Sequence, residues 1–168
     1  SFSVNTEEDE KRNTFLSYSV RIGKSTDPTL ILAFDILSYI LLETNTSPLK
    51  RALVDAGIAE ETEGWFDSSS YDMVFSIIAK KSEKENVSLF KKMIEKTLQD
   101  IVQKGIDKKL IEATLNRWEF YLKEEYFGSR PKGLTYGMKL MKSWLHGGSS
   151  IEPLCHWKHF QVIKSALT

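Results

Sequence analysis

Residues 14–22 spell TFLSYSVRI, and a helix start at Asp27-Pro28 follows them closely. Apolar and polar side chains alternate along this run, which predicts a half-buried strand over Thr14–Ile22. Asp27 suits the N-cap position and Pro28 the first helical position, because the missing N–H of proline would have no partner there. The next residues are apolar on most sides, so the sequence predicts a helix, Pro28–Glu43, buried between layers.

The same start signal recurs at Ser47-Pro48 and predicts a short helix, Pro48–Ala56, that Gly57 ends in a left-handed conformation. Two strand-like runs follow and are predicted to pair as a hairpin. From Glu83 onward the apolar spacing is helical. The further predicted elements are the strands Ala59–Phe66 and Tyr71–Lys80, a helix pair 83–105 and 107–125, and the helices Leu134–Leu145 and Pro153–Ala166.

This order predicts an α+β fold with an antiparallel sheet and helices packed on one face. We expect residues 1–150 to form the α+β domain and residues 151–168 to form a helical C-terminal extension. The strand Tyr71–Lys80 is apolar on both sides, with Met73, Phe75 and Ile77 on one face and Val74 and Ile78 on the other. We therefore expect the helix pair to cover one sheet face, and the other face to be a partly apolar surface that promotes self-association of the chain.

Composition excludes several classes of function. The 168 residues carry 23 Lys and Arg and 23 Asp and Glu, a balance that argues against a nucleic-acid or anionic-membrane surface. The single cysteine, Cys155, excludes an internal disulfide framework. The apolar stretch Leu30–Leu42 is interrupted by Asp35 and Ser38 and is too short to cross a bilayer. We therefore expect neither nucleic acid nor a membrane as a partner.

The most suggestive metal-ligand cluster is Cys155, His156 and His159, with His146 as the remaining imidazole. Zinc needs three or four supported ligands. The favoured interpretation is an amphipathic terminal helix whose histidines face water, and an independent metal site on Cys155, His156 and His159 is the alternative. Neither common zinc-peptidase string, His-x-x-Glu-His or His-Glu-x-x-His, occurs in the chain.

Other catalytic patterns are also missing from the sequence. No serine lies in Gly-x-Ser-x-Gly, Gly147-Gly148 lacks the rest of a phosphate loop, and adjacent helical side chains such as Cys155 and His156 diverge. The acidic pairs Glu60-Glu61 and Glu124-Glu125 are predicted to be solvated. The tryptophans are predicted to lie in the core or at interfaces, at positions Trp65, Trp118, Trp144 and Trp157. We expect no catalytic, cofactor-binding or metal-binding residue in this chain.

Two stretches carry a resemblance to a known family. Residues 46–57, TSPLKRALVDAG, resemble the Ser-Pro-Leu helix of the pitrilysin/insulinase-type zinc metallopeptidases. Residues 105–122 and 127–134 resemble the presequence-protease branch of that family. The resemblance runs from about Thr14 to Pro153.

In that family four homologous α+β domains form two bowl-shaped halves around a closed, peptide-degrading chamber. The zinc helix lies in the first domain, and an assisting Arg and Tyr lie in the fourth. This chain resembles the second, noncatalytic domain. Arg130 and Tyr136 match the loop of that domain, so the resemblance gives them no catalytic role. It implies that residues 151–168 begin the helical connector between the halves and that the domain is incomplete.

The resemblance implies a noncatalytic chamber-wall domain of a zinc-dependent endopeptidase, with the zinc held by the first domain of the parent and no cofactor here. The acidic start, Ser1–Lys11, without an initiator Met, favours an excised piece of a longer protein. Implied partners are the other domains of the same polypeptide and unstructured peptides. The alternative function is a freestanding inactive peptidase-like scaffold module. The expected compartment is a bacterial cytoplasm, with a mitochondrial or plastid matrix as the alternative.

Overall fold

The computed structural model describes residues 14–124 and 131–167. The described strands are β1 (Thr14–Lys24), β2 (Glu61–Asp67) and β3 (Asp72–Ser82). The described helices are α1 (Pro28–Ser38), α2 (Pro48–Asp55), α3 (Val87–Lys104), α4 (Lys108–Glu124), α5 (Lys132–Leu145) and α6 (His156–Leu167), with a π-helical turn at Tyr39–Glu43 and 3₁₀ turns at Lys84–Asn86 and Glu152–Leu154. The predictions for Ser1–Lys11, Glu125 and Arg130 fall outside the described residues.

The three strands form one antiparallel sheet in the order β1-β3-β2. The predicted β2–β3 hairpin is therefore confirmed, and β3 is the central strand. Pairing continues beyond the end of β1, where the Ser25 N–H donates to the Tyr71 carbonyl over 2.9 Å. The predicted fold class, an α+β domain with helices packed against an antiparallel sheet, is confirmed.

The first predicted helix has a different end from the one expected. Asp27 caps it as predicted, because its Oδ1 accepts a hydrogen bond from the Leu30 N–H over 3.0 Å. The α-helical geometry stops at Ser38, and the wider turn Tyr39–Glu43 takes over. Three consecutive residues of this turn are buried: Ile40, Leu41 and Leu42. Period-3.6 spacing does not reveal such a turn, because its sequence remains uniformly apolar.

The described residues group into two compact units. The first comprises residues 14–20, 38–65 and 75–106, and the second comprises residues 21–37, 66–74, 107–124 and 131–167. The strands contribute residues to both.

In the first unit, α2 packs against α3. Leu49 and Leu53 of α2 are fully buried, as is Ile94 of α3. Gly57 adopts φ +67°, the left-handed conformation predicted for the end of α2. The N–H of Gly57 donates to the Val54 carbonyl over 2.9 Å, which closes the last turn.

Also in the first unit, Gly64 of β2 marks where the end of the first helix meets the sheet. A Cβ at this position would lie 2.5 Å from Ser38 Oγ and 2.9 Å from Leu42 Cδ1. The close approach therefore requires the absence of a side chain. The side chains nearest this position come from the first helical segment, and α3 packs on α2. That the later helix pair covers one face of the sheet stays a prediction.

In the second unit, α4 contacts α6. Glu119 of α4 accepts hydrogen bonds from Lys123 over 2.8 Å and from Lys164 of α6 over 2.7 Å. These two ammonium groups lower the pKa of Glu119 to about 2. Phe160 of α6 is fully buried, and Asp107 caps α4 as predicted, with its Oδ1 accepting from the Lys109 N–H over 2.9 Å. The ends of α4 and α6 are thus fixed within this unit.

The segment Pro28–Asp55 is long and apolar enough to cross a membrane by length and composition alone. Core helices of folded domains meet the same criterion. In this structure the segment is interrupted by extended backbone at Thr44, with ψ 157°. Its apolar side chains include core residues such as Leu42, Leu49 and Leu53.

We expect Leu53→Ala to lower the free energy of unfolding by about 2–5 kcal/mol, because it leaves a cavity at a fully buried position between α2 and α3. The matched control is Leu89→Ala on α3, whose side chain is 43% exposed and which should change stability by less than about 1 kcal/mol. Urea unfolding of both variants measures this difference. Equal losses would contradict the packing described for the first unit.

Candidate functional site

The predicted metal-ligand residues do not form a cluster in the described part of the chain. Among residues 14–124 and 131–167, no group of three or more His, Cys, Asp or Glu side chains is placed to hold a metal ion. Cys155 is a half-buried free thiol just before α6. The expectation that the chain holds no metal remains a prediction.

His159 is the residue on which the sequence interpretation was wrong. It was expected to face water, but only 6% of it is exposed. Its Nδ1 lies 2.7 Å from Thr29 Oγ1 of α1, and its Nε2 lies 3.4 Å from the Glu152 carbonyl oxygen. These partners satisfy a buried imidazole, and one of them is distant in sequence, so helical periodicity alone could not identify it.

The second unit contains a cavity of about 470 Å³. Four helical segments line it, each with side chains about one turn apart, as expected for single helix faces. The lining residues are Pro28, Ile31, Leu32 and Asp35 from α1; Trp118, Tyr121 and Leu122 from α4; Lys139, Lys142 and Ser143 from α5; Pro153, His156 and His159 from the C-terminal segment; and Ser25 and Ser68 from loops.

Asp35 is the single acidic side chain in the lining. Burial raises its pKa to about 6, and the positive charges of Lys142 and Lys139 oppose this rise. Burial also lowers the pKa of Lys142, whose Nζ donates a hydrogen bond to Ser68 Oγ over 2.8 Å. Two opposite charges are therefore held in partly desolvated positions around one cavity.

Two serine hydroxyls in the lining are buried without a hydrogen-bond partner among the described residues. Ser25 is 3% exposed and Ser143 is 4% exposed. A buried hydroxyl without a partner costs about 1–3 kcal/mol. The hydroxyls of Thr62 and Thr114, which do not line the cavity, are likewise buried without a partner, so such groups are not confined to it.

The sequence analysis singled out His156 and His159 but missed the other polar groups of this cavity. One signal was present: Asp35 interrupts an otherwise apolar helix. No local sequence pattern marked Lys142, Ser25 or Ser143. Lys142 and Ser143 lie on a different element from Ser25, and only tertiary packing brings these elements together around the cavity.

A second surface lies in the first unit, on the side of the sheet away from the buried Phe75, Ile77 and Ala79. We call it the outer sheet surface; its residues are Phe15, Ser17, Ser19, Glu63, Trp65, Ser76, Ile78 and Lys80. Alternation along each strand places these residues on one face. Ser19 Oγ lies 2.7 Å from Ser76 Oγ, and Lys80 forms an ion pair with Glu63. Phe15 is 64% exposed and Trp65 is 58% exposed.

The outer sheet surface therefore combines exposed aromatic side chains, hydroxyls and one ion pair. The sequence analysis placed Trp65 in the core or at an interface, and the structure excludes the core for this residue. Trp144 and Trp157 are also exposed, which excludes the core for both, and the ring of Trp157 lies 5.7 Å from that of Phe160 between centroids.

The antiparallel sheet with packed helices makes this chain an α+β domain. Residues 2–117, more than half of the chain, match the family described as "Peptidase M16 inactive domain". The chain belongs to this family, and it is related to the presequence proteases. The resemblance to the noncatalytic domain of the family is thereby confirmed.

Similar proteins include Protein HypA of Clostridium perfringens, which is 42% identical over 167 residues, covering 99% of this chain and 17% of that protein. Presequence protease 1 of Arabidopsis thaliana, a chloroplast and mitochondrial protein, is 28% identical over 81% of this chain and 13% of its own length. The chain thus spans less than a fifth of the length of these curated relatives.

A solved structure shares the fold. It is the inactive peptidase domain of a provisionally assigned zinc protease from Bordetella parapertussis, with a TM-score of 0.69 and 14% identity. The match covers 88% of this chain and 77% of that one.

Because folding raises the pKa of Asp35, the folded chain holds a proton that the unfolded chain releases between about pH 4 and 6. Ionised Asp35 therefore lowers the free energy of unfolding as pH rises through that window. We expect Asp35→Asn to stabilise the chain by about 1–3 kcal/mol at about pH 7 and to have little effect at about pH 4. Urea unfolding at both pH values measures this difference.

The control for this experiment is Asp55→Asn, at an exposed carboxylate on α2. It measures the effect on stability of an Asp-to-Asn change outside the cavity. If Asp35→Asn has the same effect at both pH values, Asp35 is not desolvated as described.

Proposed function

We propose that this chain is a noncatalytic wall domain of a zinc-dependent endopeptidase that degrades oligopeptides. The observation that carries the proposal is the match to a family described as inactive, in a chain that spans less than a fifth of relatives named as proteases. A domain of that kind supports a reaction whose chemistry lies elsewhere in the polypeptide. Its partners are the other domains of that polypeptide, and it contributes part of the surface that encloses the substrate.

The outer sheet surface is the part of the chain best suited to face peptide substrates. Exposed aromatic rings bury a large apolar area with few rotatable bonds. The neighbouring hydroxyls of Ser17 and Ser19 form hydrogen bonds without a fixed charge. Such a surface accepts extended peptides of varied sequence, since neither a deep pocket nor a single charge selects among them.

Compartment and cofactor follow from the same proposal. The 42% identity to a Clostridium perfringens protein supports a bacterial cytoplasm, and the organellar names of the presequence proteases support a mitochondrial or plastid matrix as the alternative. Zinc would be held by the first domain of the parent, and this chain would hold no cofactor.

We expect the purified 168-residue chain to bind no stoichiometric zinc and to leave unstructured peptides intact, because the proposed chemistry resides in another domain. Metal analysis after dialysis and a peptide-cleavage assay with and without chelator measure this. One tightly bound zinc per chain, or cleavage that a chelator stops, would overturn the wall-domain proposal.

The second expected outcome concerns Trp65, tested in the full polypeptide that its gene encodes. Trp65→Ala should raise the KM for an unstructured peptide several-fold, by about 1 kcal/mol of lost aromatic contact, and leave kcat unchanged. The matched control is Phe120→Ala on α4, an aromatic side chain that is 67% exposed outside the outer sheet surface. Equal effects of the two substitutions, or a change in kcat alone, would argue against peptide contact at Trp65.

A freestanding interaction module is the second candidate function. It is favoured by an exposed apolar stripe along α5, where Leu134, Met138, Met141 and Leu145 are each at least 57% exposed and follow a spacing of three or four residues. Such a stripe suits a partner helix or self-association. The encoding DNA discriminates between the two candidates: an upstream reading frame with a His-x-x-Glu-His motif favours the wall domain, and a start codon just before Ser1 favours the module.

A further inference from the structure

The cavity of the second unit has the size of a ligand site. Its volume of about 470 Å³ lies within the range of small-molecule pockets and far exceeds the space that a single water occupies. All of its lining residues belong to the second unit. An inference about this cavity is therefore independent of the proposed role of the outer sheet surface.

One side of the cavity is apolar. Trp118 of α4 and Leu32 of α1 both line it, and Leu32 is buried. Trp118 also lies edge-on to Tyr121, with 5.7 Å between ring centroids, so the two aromatic rings support each other. An aromatic wall of this kind accommodates a flat or aliphatic body rather than a strongly hydrated solute.

The charges in the lining favour an anion. Lys139 and Lys142 contribute two positive charges, and Asp35 contributes one negative charge when ionised. Within the lining this leaves an excess of one positive charge, which disfavours a cationic ligand. The carboxylate of Asp67, outside the lining, also acts on Lys142. Lys142 donates to the neutral hydroxyl of Ser68 and makes no ion pair with a carboxylate within 4.0 Å among the described residues.

The lysines are the groups in the lining that can hold a carboxylate. The hydroxyl oxygens of Ser25 and Ser143 are themselves buried and do not open onto the cavity. An ammonium group donates charge-assisted hydrogen bonds to a carboxylate, which are stronger than those of a neutral hydroxyl.

We propose that this cavity binds a small organic carboxylate with an apolar body, the carboxylate held by Lys142 and Lys139 and the body placed against Trp118. The chemistry fits two sources: a free carboxylic acid, or the C-terminal residue of a short peptide. Both carry a carboxylate next to an apolar group, but only the peptide has an amide bond before its C-terminal residue.

Three probes distinguish these sources in isothermal titrations with the 168-residue chain: 3-phenylpropionate, N-acetyl-alanyl-phenylalanine and the C-terminal amide of that dipeptide. We expect the two carboxylates to bind with a Kd of about 1 mM or tighter and the amide to bind at least about tenfold more weakly. Tighter binding of the dipeptide acid identifies a peptide C-terminus as the ligand. Tighter binding of 3-phenylpropionate identifies a free acid. No binding of either carboxylate up to about 10 mM overturns the proposal.

Two lysine variants locate the binding site. Lys142→Met preserves the length of the side chain and removes the charge, and it should weaken carboxylate binding about tenfold or more. Lys109→Met, at an exposed lysine of α4 outside the cavity, is the matched control and should bind like the parent chain. Thermal unfolding of each variant confirms that it is folded. Unchanged binding by a folded Lys142→Met variant overturns the proposal.

The pH dependence gives an independent readout through Asp35. The groups that face it across the cavity are Tyr121, Lys139, Lys142, His156 and His159, and Asp67 lies near Lys142. Ionised Asp35 repels a ligand carboxylate, so affinity for 3-phenylpropionate should rise as pH falls from about 8 to 5.5, where the ligand stays ionised.

Asp35→Asn separates this effect from protonation of the histidines. The variant should bind 3-phenylpropionate about three- to tenfold more tightly than the parent chain at about pH 8 and should show a smaller pH dependence. Weaker binding by Asp35→Asn at that pH would place the carboxylate elsewhere and overturn the proposal.

Discussion

Strand β3 pairs with a neighbour on each of its edges, and the other elements depend on this constraint. A central strand must have its backbone groups hydrogen-bonded on both sides and its apolar side chains covered. Met73, Phe75, Ile77 and Ala79 on one face of β3 are at most 5% exposed. The opposite face keeps polar neighbours such as Ser76 and Lys80, so only one side of the sheet requires helices. The single-sided architecture follows from this asymmetry.

The second unit tolerates buried polar groups that reduce stability. Asp35, Ser25 and Ser143 each occupy a partly or fully desolvated position, and the two serines have no partner among the described residues. Groups of this kind are retained at functional sites in spite of their energetic cost. His159 provides the contrast, because Thr29 and Glu152 satisfy a comparably buried ring. Burial of a polar side chain by itself therefore does not mark a site.

The chain belongs to a family described as inactive peptidase domains, and its described residues form an exposed sheet surface and a cavity. The two features make different demands on the fold. The outer sheet surface needs only strand alternation, since its residues follow from β-strand geometry. The cavity needs four helical segments to converge, so its existence depends on the packing of the second unit. A single domain can thereby carry both a broad exposed surface and a cavity.

The sequence by itself determined the elements whose signals are local. Alternation gave β1, Asp27-Pro28 and Ser47-Pro48 gave two helix starts, and Gly57 gave a left-handed end. Tertiary structure alone decided the π-helical turn at Tyr39–Glu43 and the burial of His159, because an apolar run does not specify its turn width and the partner Thr29 is distant in sequence. The cavity could not be predicted for the same reason, because its lining residues come from segments that are distant in sequence. The pKa values of Asp35 and Lys142 depend on the groups that bury them, and only tertiary packing brings those groups together.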